Sequence, residues 1–165
     1  MGIELRGAWR PDDYDAGFAA LAESGQDVHG EAAFVESLGG HSVLDAGCGT
    51  GRVAVELARR GIDVVGTDRD RAMLAAARAK APEVEWVLGD LATVTIADAV
   101  GATRLFEVAV MAGNVMIFVD RGSEGQVLAN VARPVSPGGL VVAGFQLARG
   151  KLTLAEYDDL AGEAG

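Results

Sequence analysis

Cys48 is the only thiol in this chain, so no internal disulfide can form. No apolar run approaches the ~18–20 residues that span a bilayer, and residues 1–10 lack the basic-then-apolar order of a secretory signal. These absences together predict a cytoplasmic protein. Basic residues are few: 14 Lys and Arg stand against 24 Asp and Glu, a formal charge of −10. Proteins that grip nucleic acid displace counterions from phosphates with a basic surface, and no cluster here supplies one. The acidity reads as a solvated surface and speaks against a DNA or RNA partner. Only two histidines, His29 and His41, are on hand for acid–base work.

What is present suffices for one domain. Half of the 165 residues are hydrophobic, and chains of ~100–200 residues commonly form a single unit around one core. From Asp12 to Leu38 the pattern reads as two short helices. Tyr14, Phe18, Leu21 and Ala22 recur at helical spacing, Gly25 breaks the run, and Glu31 to Leu38 follows before Gly39-Gly40. Residues 1–40 thus form a helical N-terminal segment.

The rhythm then changes to strand–helix alternation, expected to make a core over residues 41–146. Strands are predicted at Ser42 to Ala46, Ile62 to Thr67, Val84 to Leu88, Phe106 to Ala112 and Leu140 to Phe145. Helices are predicted over roughly Arg52 to Arg60, after an Asp70 cap up to Pro82, and over Ser123 to Ala132. The turn Ser136-Pro137-Gly138-Gly139 precedes the last strand. Thr153 and Glu156 have capping-box spacing, so residues 147–165 should hold a final helix, Leu154 to Ala164. This alternation implies an α/β, doubly wound parallel sheet with helices on both faces. Ligands in such sheets bind beyond the carboxyl ends of the strands.

The strongest motif lies there, at the end of the first strand: Asp45-Ala46-Gly47-Cys48-Gly49-Thr50-Gly51. Glycine lets backbone approach a ligand closely, and the following helix points free N–H groups into the same space. Dinucleotide folds space these glycines G-x-G-x-x-G. Here the pattern is G-x-G-x-G, with Arg52 where a third dinucleotide glycine belongs. Asp45, two residues ahead of Gly47, would repel a pyrophosphate but suits a cationic aminoacyl or sulfonium group.

An acid followed by G-x-G-x-G resembles the first motif of the class I S-adenosylmethionine-dependent methyltransferases, whose domain is Rossmann-like. The resemblance covers Asp12 to Phe145. It implies S-adenosyl-L-methionine as cofactor, with Asp45, Gly47, Cys48, Gly49 and Gly51 around its methionine moiety. It assigns Asp68, with Arg69 beside it, to the ribose hydroxyls, and Gly89, Asp90 and Leu91 to the adenine. Ala112 and Asn114 then fall in the loop beneath the sulfonium that faces the methyl acceptor. The resemblance also makes residues 1–40 a lid over the site. The implied reaction is direct methyl transfer to a small-molecule O, N, C or S nucleophile. Two other readings stay open: a cofactor-binding protein without turnover, and a nicotinamide-dependent oxidoreductase.

Each residue also has a plainer reading. Asp90 can cap a short helix, and Asn114 is either a turn residue or a substrate contact. Cys48 is read as the small residue two glycines require, not as a nucleophile. His29 is a candidate general base from the lid, whereas His41, at the far end of the first strand, is structural. Tyr14 and Phe18 are read as packing residues, with Tyr14 able to reach the donor under a closed lid; Trp9 and Trp86 are structural. No residue is assigned as catalytic. The absence of an acid cluster after the fourth strand argues against a metal. The family completes its sheet with an antiparallel strand pair, and about 20 residues after Phe145 are too few for it. A C-terminally shortened sheet is therefore expected, with an exposed edge on the fifth strand where two copies can pair.

Overall fold

The computed structural model describes residues 10–165, so Trp9 lies outside the described residues. Two helices lead, α1 (Pro11–Glu23) and α2 (Gly30–Ser37). Then follow β1 (Ser42–Ala46), α3 (Arg52–Arg59), β2 (Asp63–Asp68), α4 (Arg71–Lys80), β3 (Glu85–Leu88) and β4 (Phe106–Met111). The chain continues through α5 (Val115–Phe118), α6 (Glu124–Ala132), β5 (Val135–Ala143) and α7 (Leu154–Ala164). No described helix is long and apolar enough to cross a membrane.

The five strands form one sheet in the order β3-β2-β1-β4-β5, every neighbouring pair parallel. The chain winds outward from β1 through β2 to β3, then returns to start β4 on the other side of β1. That reversal opens a crevice at the carboxyl ends of β1 and β4, where doubly wound folds hold ligands. Among the described residues no strand pairs with the outer edge of β5.

Period-two alternation divides the core between the faces. Val43, Val108 and Val110 pack with Leu57 and Leu74 under α3 and α4, while Leu44, Ala109 and Met111 pack with Leu128 and Val131 under α6. Asp45 falls on the α3 side, inside the core.

Local chemistry explains the helix ends. The Asp70 carboxylate accepts from the N–H groups of Ala72 (2.8 Å) and Met73 (3.2 Å), starting α4 where the sequence placed its cap. Thr153 and Glu156 form the reciprocal capping box that starts α7.

Two features depart from the sequence reading. The last strand begins at Val135, not Leu140, and ends at Ala143, not Phe145. Phe106 pairs with Val135 and Val108 with Leu140, so the Ser136–Gly139 turn is an outward bulge inside β5. The second is α5, a single turn after β4, too short for helical periodicity to reveal.

Candidate active-site cleft

All five strand-end loops converge on one cleft of about 1110 Å³, roofed by α1. Single ligand pockets run to roughly 300–1,000 Å³, so the space suits a donor and an acceptor side by side. The first loop is anchored at its start, where Gly47 and Cys48 donate backbone N–H bonds to Thr67 O (2.8 and 3.0 Å). Asp68 ties the loop to β2: its Oδ2 accepts from Gly49 N (2.8 Å) and its Oδ1 from Asp70 N (2.9 Å). Each oxygen keeps further acceptor capacity, and Asp68 lines the cleft.

The three motif glycines have different physical reasons. All have positive φ, but a Cβ at Gly47 would meet Val115 at 2.7 Å and one at Gly51 would meet the Trp86 ring at 2.6 Å. Only Gly49 faces open space. Gly47 and Gly49 line the cleft; Gly51 does not, being a packing site beneath α3. Trp86 is structural as expected, buried with its Nε1 donating to Ala81 O (2.8 Å).

Asp45 is a second correction. It is not among the lining residues and is 1% exposed; its Oδ2 accepts from Ala54 N (3.0 Å), satisfying a free N–H in the first turn of α3. It therefore shapes the glycine loop from behind. Burial pushes its carboxyl up to about 7, although the Ala54 hydrogen bond pulls the other way. In the unfolded chain the group titrates near ~3.9. The folded state keeps a proton that the unfolded state has lost, so this contribution to stability is full below pH ~4 and disappears as pH rises to about 7. Asp45→Asn keeps the acceptor but not the titration. Denaturant midpoints should show the wild type losing up to about 4 kcal/mol relative to this variant between pH 4 and 8.

Burial also raises the Cys48 thiol well above its ordinary value, so no thiolate is available there. Gly89, Asp90 and Leu91 line the cleft below β3. Asp90 turns the chain, its Oδ1 accepting from Ala92 N (2.8 Å). A Cβ at Gly89 would strike Val94 at 2.3 Å. Ala112 and Asn114 line the opposite wall. Asn114 is the one non-glycine residue of positive φ (70°) among those described, and its Oδ1 accepts from Gln146 N (2.7 Å). It therefore has a turn role, tying the loop after β4 to the end of β5. Arg69 stands at the cleft with its guanidinium 3.6 Å from Asp120.

The helical roof is locked down by residues that sequence reasoning assigned no role. Arg52 donates to Val28 O (2.8 Å), pairs with Glu31, and lies 4.2 Å over the Phe18 ring. Glu31 also accepts from Gly113 N (3.1 Å). Asp15 takes the Thr50 hydroxyl (2.6 Å) and pairs with Lys80 (2.6 Å). One cation thus joins the head of α3 to both leading helices, and Glu31 extends the link past β4. Its signal was the same substitution at position 52 that broke the dinucleotide spacing. Arg52→Met would strip Glu31 of its cation and Val28 O of its donor, charge-assisted bonds that together contribute ~1–3 kcal/mol. Amide exchange in residues 11–37 should then quicken about tenfold or more, while β1 and β4 stay protected.

Tyr14 and Phe18 line the cleft, their rings 5.0 Å apart. His29 does not line it: its Nδ1 lies 3.9 Å from Glu56 on the outer side of α3, so it is misplaced for a general base. His41 is structural, its backbone N–H held by Glu107 at the amino end of β1.

A parallel sheet in this order, with a glycine loop after β1 and acids at the ends of β2 and β3, has the architecture of class I S-adenosylmethionine-dependent methyltransferases. A family model described as a methyltransferase domain matches residues 43–139, more than half of the sequence. The structure is similar to a TehB-like SAM-dependent methyltransferase from Corynebacterium glutamicum ATCC 13032. The TM-score is 0.83 at 34% identity, covering 94% of this chain and 82% of that one. The chain belongs to the methyltransferase-domain family. Among curated relatives, magnesium-protoporphyrin O-methyltransferase of Rhodobacter capsulatus is 44% identical over 62 residues, 34% of this chain. A protein of Geobacillus sp. (strain WCH70) is 54% identical over 43 residues, 26% of this chain. The chain spans only 28% and 17% of the lengths of these two relatives.

Proposed function

We propose that this chain transfers a methyl group from S-adenosyl-L-methionine to a small-molecule O, N, C or S nucleophile. The observation that carries the reading is the single cleft that joins the strand-end acids to the wall formed by α1. The residues suit the donor. Asp68 offers lone pairs to two ribose hydroxyls, Asp90 and Leu91 to the adenine, and Gly47 to Gly49 an open backbone surface to the methionine end. Ala112 and Asn114 sit where the sulfonium would lie, and Arg69 closes the ribose side. Asp45 and Gly51 act through the loop they shape.

The donor brings an already activated methyl group, so no covalent enzyme intermediate is required. The chain's own contribution is positioning and exclusion of water, worth several kcal/mol when reacting atoms are held in line. Of the expected lid over residues 1–40, the described part from residue 10 onward serves as the lid in this reading, with residues 41–146 as the donor-binding core and residues 147–165 as a terminal helix. Formation of S-adenosylhomocysteine from S-adenosylmethionine over a panel of small acceptors tests it. Turnover that needs both an acceptor and Asp68 supports methyl transfer. A tightly bound donor left unconsumed across nitrogen, oxygen, sulfur and carbon nucleophiles would favour a binding protein instead.

A further inference from the structure

We propose that the acceptor in this cleft is an amine on a compact apolar body, methylated at nitrogen. The inference rests on the donor reading above and concerns the cleft walls that reading leaves unassigned. Its walls are Phe18 and Leu21 from α1 and Ile117 and Phe118 from α5. Leu21 and Phe118 are among the few large apolar side chains left substantially exposed, at 39% and 43%. An apolar ring or short chain between these walls would cover both, a gain of ~25 cal/mol per Å² buried.

Charge then selects the reacting atom. The described residues lining the cleft include Asp13, Asp68, Asp70, Asp90 and Asp120 against two cations, Arg52 and Arg69. Both cations already face acids, Arg52 with Glu31 and Arg69 with Asp120. The surplus is negative and favours a ligand that arrives positively charged. Thiolate and carboxylate acceptors need no base, but they are anions and meet this surplus unfavourably.

A hydroxyl acceptor is neutral but must lose its proton. Among the described lining residues there is no histidine or lysine, and burial raises both the Cys48 thiol and the Tyr14 hydroxyl. An aliphatic alcohol is about as weak an acid as water, ~15.7, so without such a base it stays protonated and a poor nucleophile. An amine meets the negative surplus as a cation, and although its ammonium, at ~10, must also shed a proton, the neutral fraction in solution is far larger than any alkoxide fraction. It is drawn in as a cation, sheds its proton to water, and attacks as a neutral nitrogen. The nitrogen lone pair forms the bond to the methyl carbon while the carbon–sulfur bond breaks, its electron pair going to sulfur. Sulfur leaves as a neutral thioether, and nitrogen takes the positive charge beside the carboxylates and then releases an N–H proton to solvent. Asp13, on α1 and given no contact with the donor above, is the residue that would set this preference.

The test uses the whole chain and matched acceptors. A benzyl, cyclohexylmethyl or naphthylmethyl body carries in turn an amine, a hydroxyl, a thiol or a carboxylate. Calorimetric binding of S-adenosylmethionine is measured in parallel. The expected result is S-adenosylhomocysteine formation in the amine arm alone, at a rate that climbs with pH through the acceptor's own pKa. Asp13→Asn should raise KM for the amine about three- to tenfold and leave donor affinity within twofold. Preference for a hydroxyl, thiol or carboxylate overturns the proposal. So does an intact donor site with no turnover in any arm. Failure to bind the donor at all would instead defeat the reading on which the proposal stands.

Discussion

Asp68→Ala is expected to weaken S-adenosylmethionine binding by about 100-fold or more while leaving a folded chain. Hydrogen bonds to a charged group contribute ~1.5–3 kcal/mol each, and two ribose hydroxyls lose theirs together. The same change removes the acceptor for Gly49 N and Asp70 N, so the glycine loop loses its tether to β2. Some loss of stability accompanies the loss of affinity. Asp68→Asn separates the two: an amide oxygen still accepts one backbone N–H, so stability should largely return while affinity stays well below wild type. Calorimetric titration beside a thermal melt distinguishes them. Equal affinity for Asp68→Ala and wild type would remove Asp68 from the site.

The glycine loop supplies the second large effect, and it divides by position. Gly51→Ala places a methyl 2.6 Å from the ring of Trp86 at φ +81°. Trp86 is buried and held by its hydrogen bond to Ala81 O, so the ring has nowhere to swing. Left-handed strain of ~1–2 kcal/mol and overpacking of ~1–3 kcal/mol add to roughly 2–5 kcal/mol. The melting temperature should fall by about 5–15 °C. Gly49→Ala carries only the strain, because nothing stands within 4 Å of its Cβ position. It should melt within a few degrees of wild type, yet bind S-adenosylmethionine at least tenfold more weakly, because the methyl projects into the cleft. If the two variants behaved alike, the distinction between a packing glycine and a ligand-facing glycine would be wrong.

Much of this fold could be read from the chain because local and global signals agree. β1 and α7 fall on the expected residues, the first because an apolar run ends at a glycine loop, the second because Thr153 and Glu156 specify the helix start. β5 was misplaced because Pro137 and two glycines read as a turn ahead of a strand. Pairing of Val135 with Phe106 on one side and of Leu140 with Val108 on the other makes them a bulge within it. That outcome depends on a neighbouring strand and has no local signature.

The site was legible as a set of positions but not in its division of labour. Gly49 and Gly51 both have positive φ, and it is side chains distant in sequence, Trp86 and Ala77, that separate their roles. Asp45 was read as facing a ligand, whereas strand alternation turns it into the core under α3. His29 drew attention as a scarce titratable group, yet it lies beside Glu56, outside the cleft. Arg52 was noticed only for breaking a rival motif. Its partners Val28, Glu31 and Phe18 come from segments that no spacing rule connects to it.

Isothermal titration of the folded chain with four ligands decides whether this cleft holds S-adenosylmethionine. These are S-adenosylmethionine, S-adenosylhomocysteine, NAD⁺ and NADH. The account predicts micromolar binding of both adenosyl ligands with one site per chain, loss of that binding in Asp68→Ala, and no heat from either nicotinamide. Binding of a nicotinamide in place of the adenosyl ligands, or silence from all four in a chain whose circular dichroism shows it folded, would contradict it.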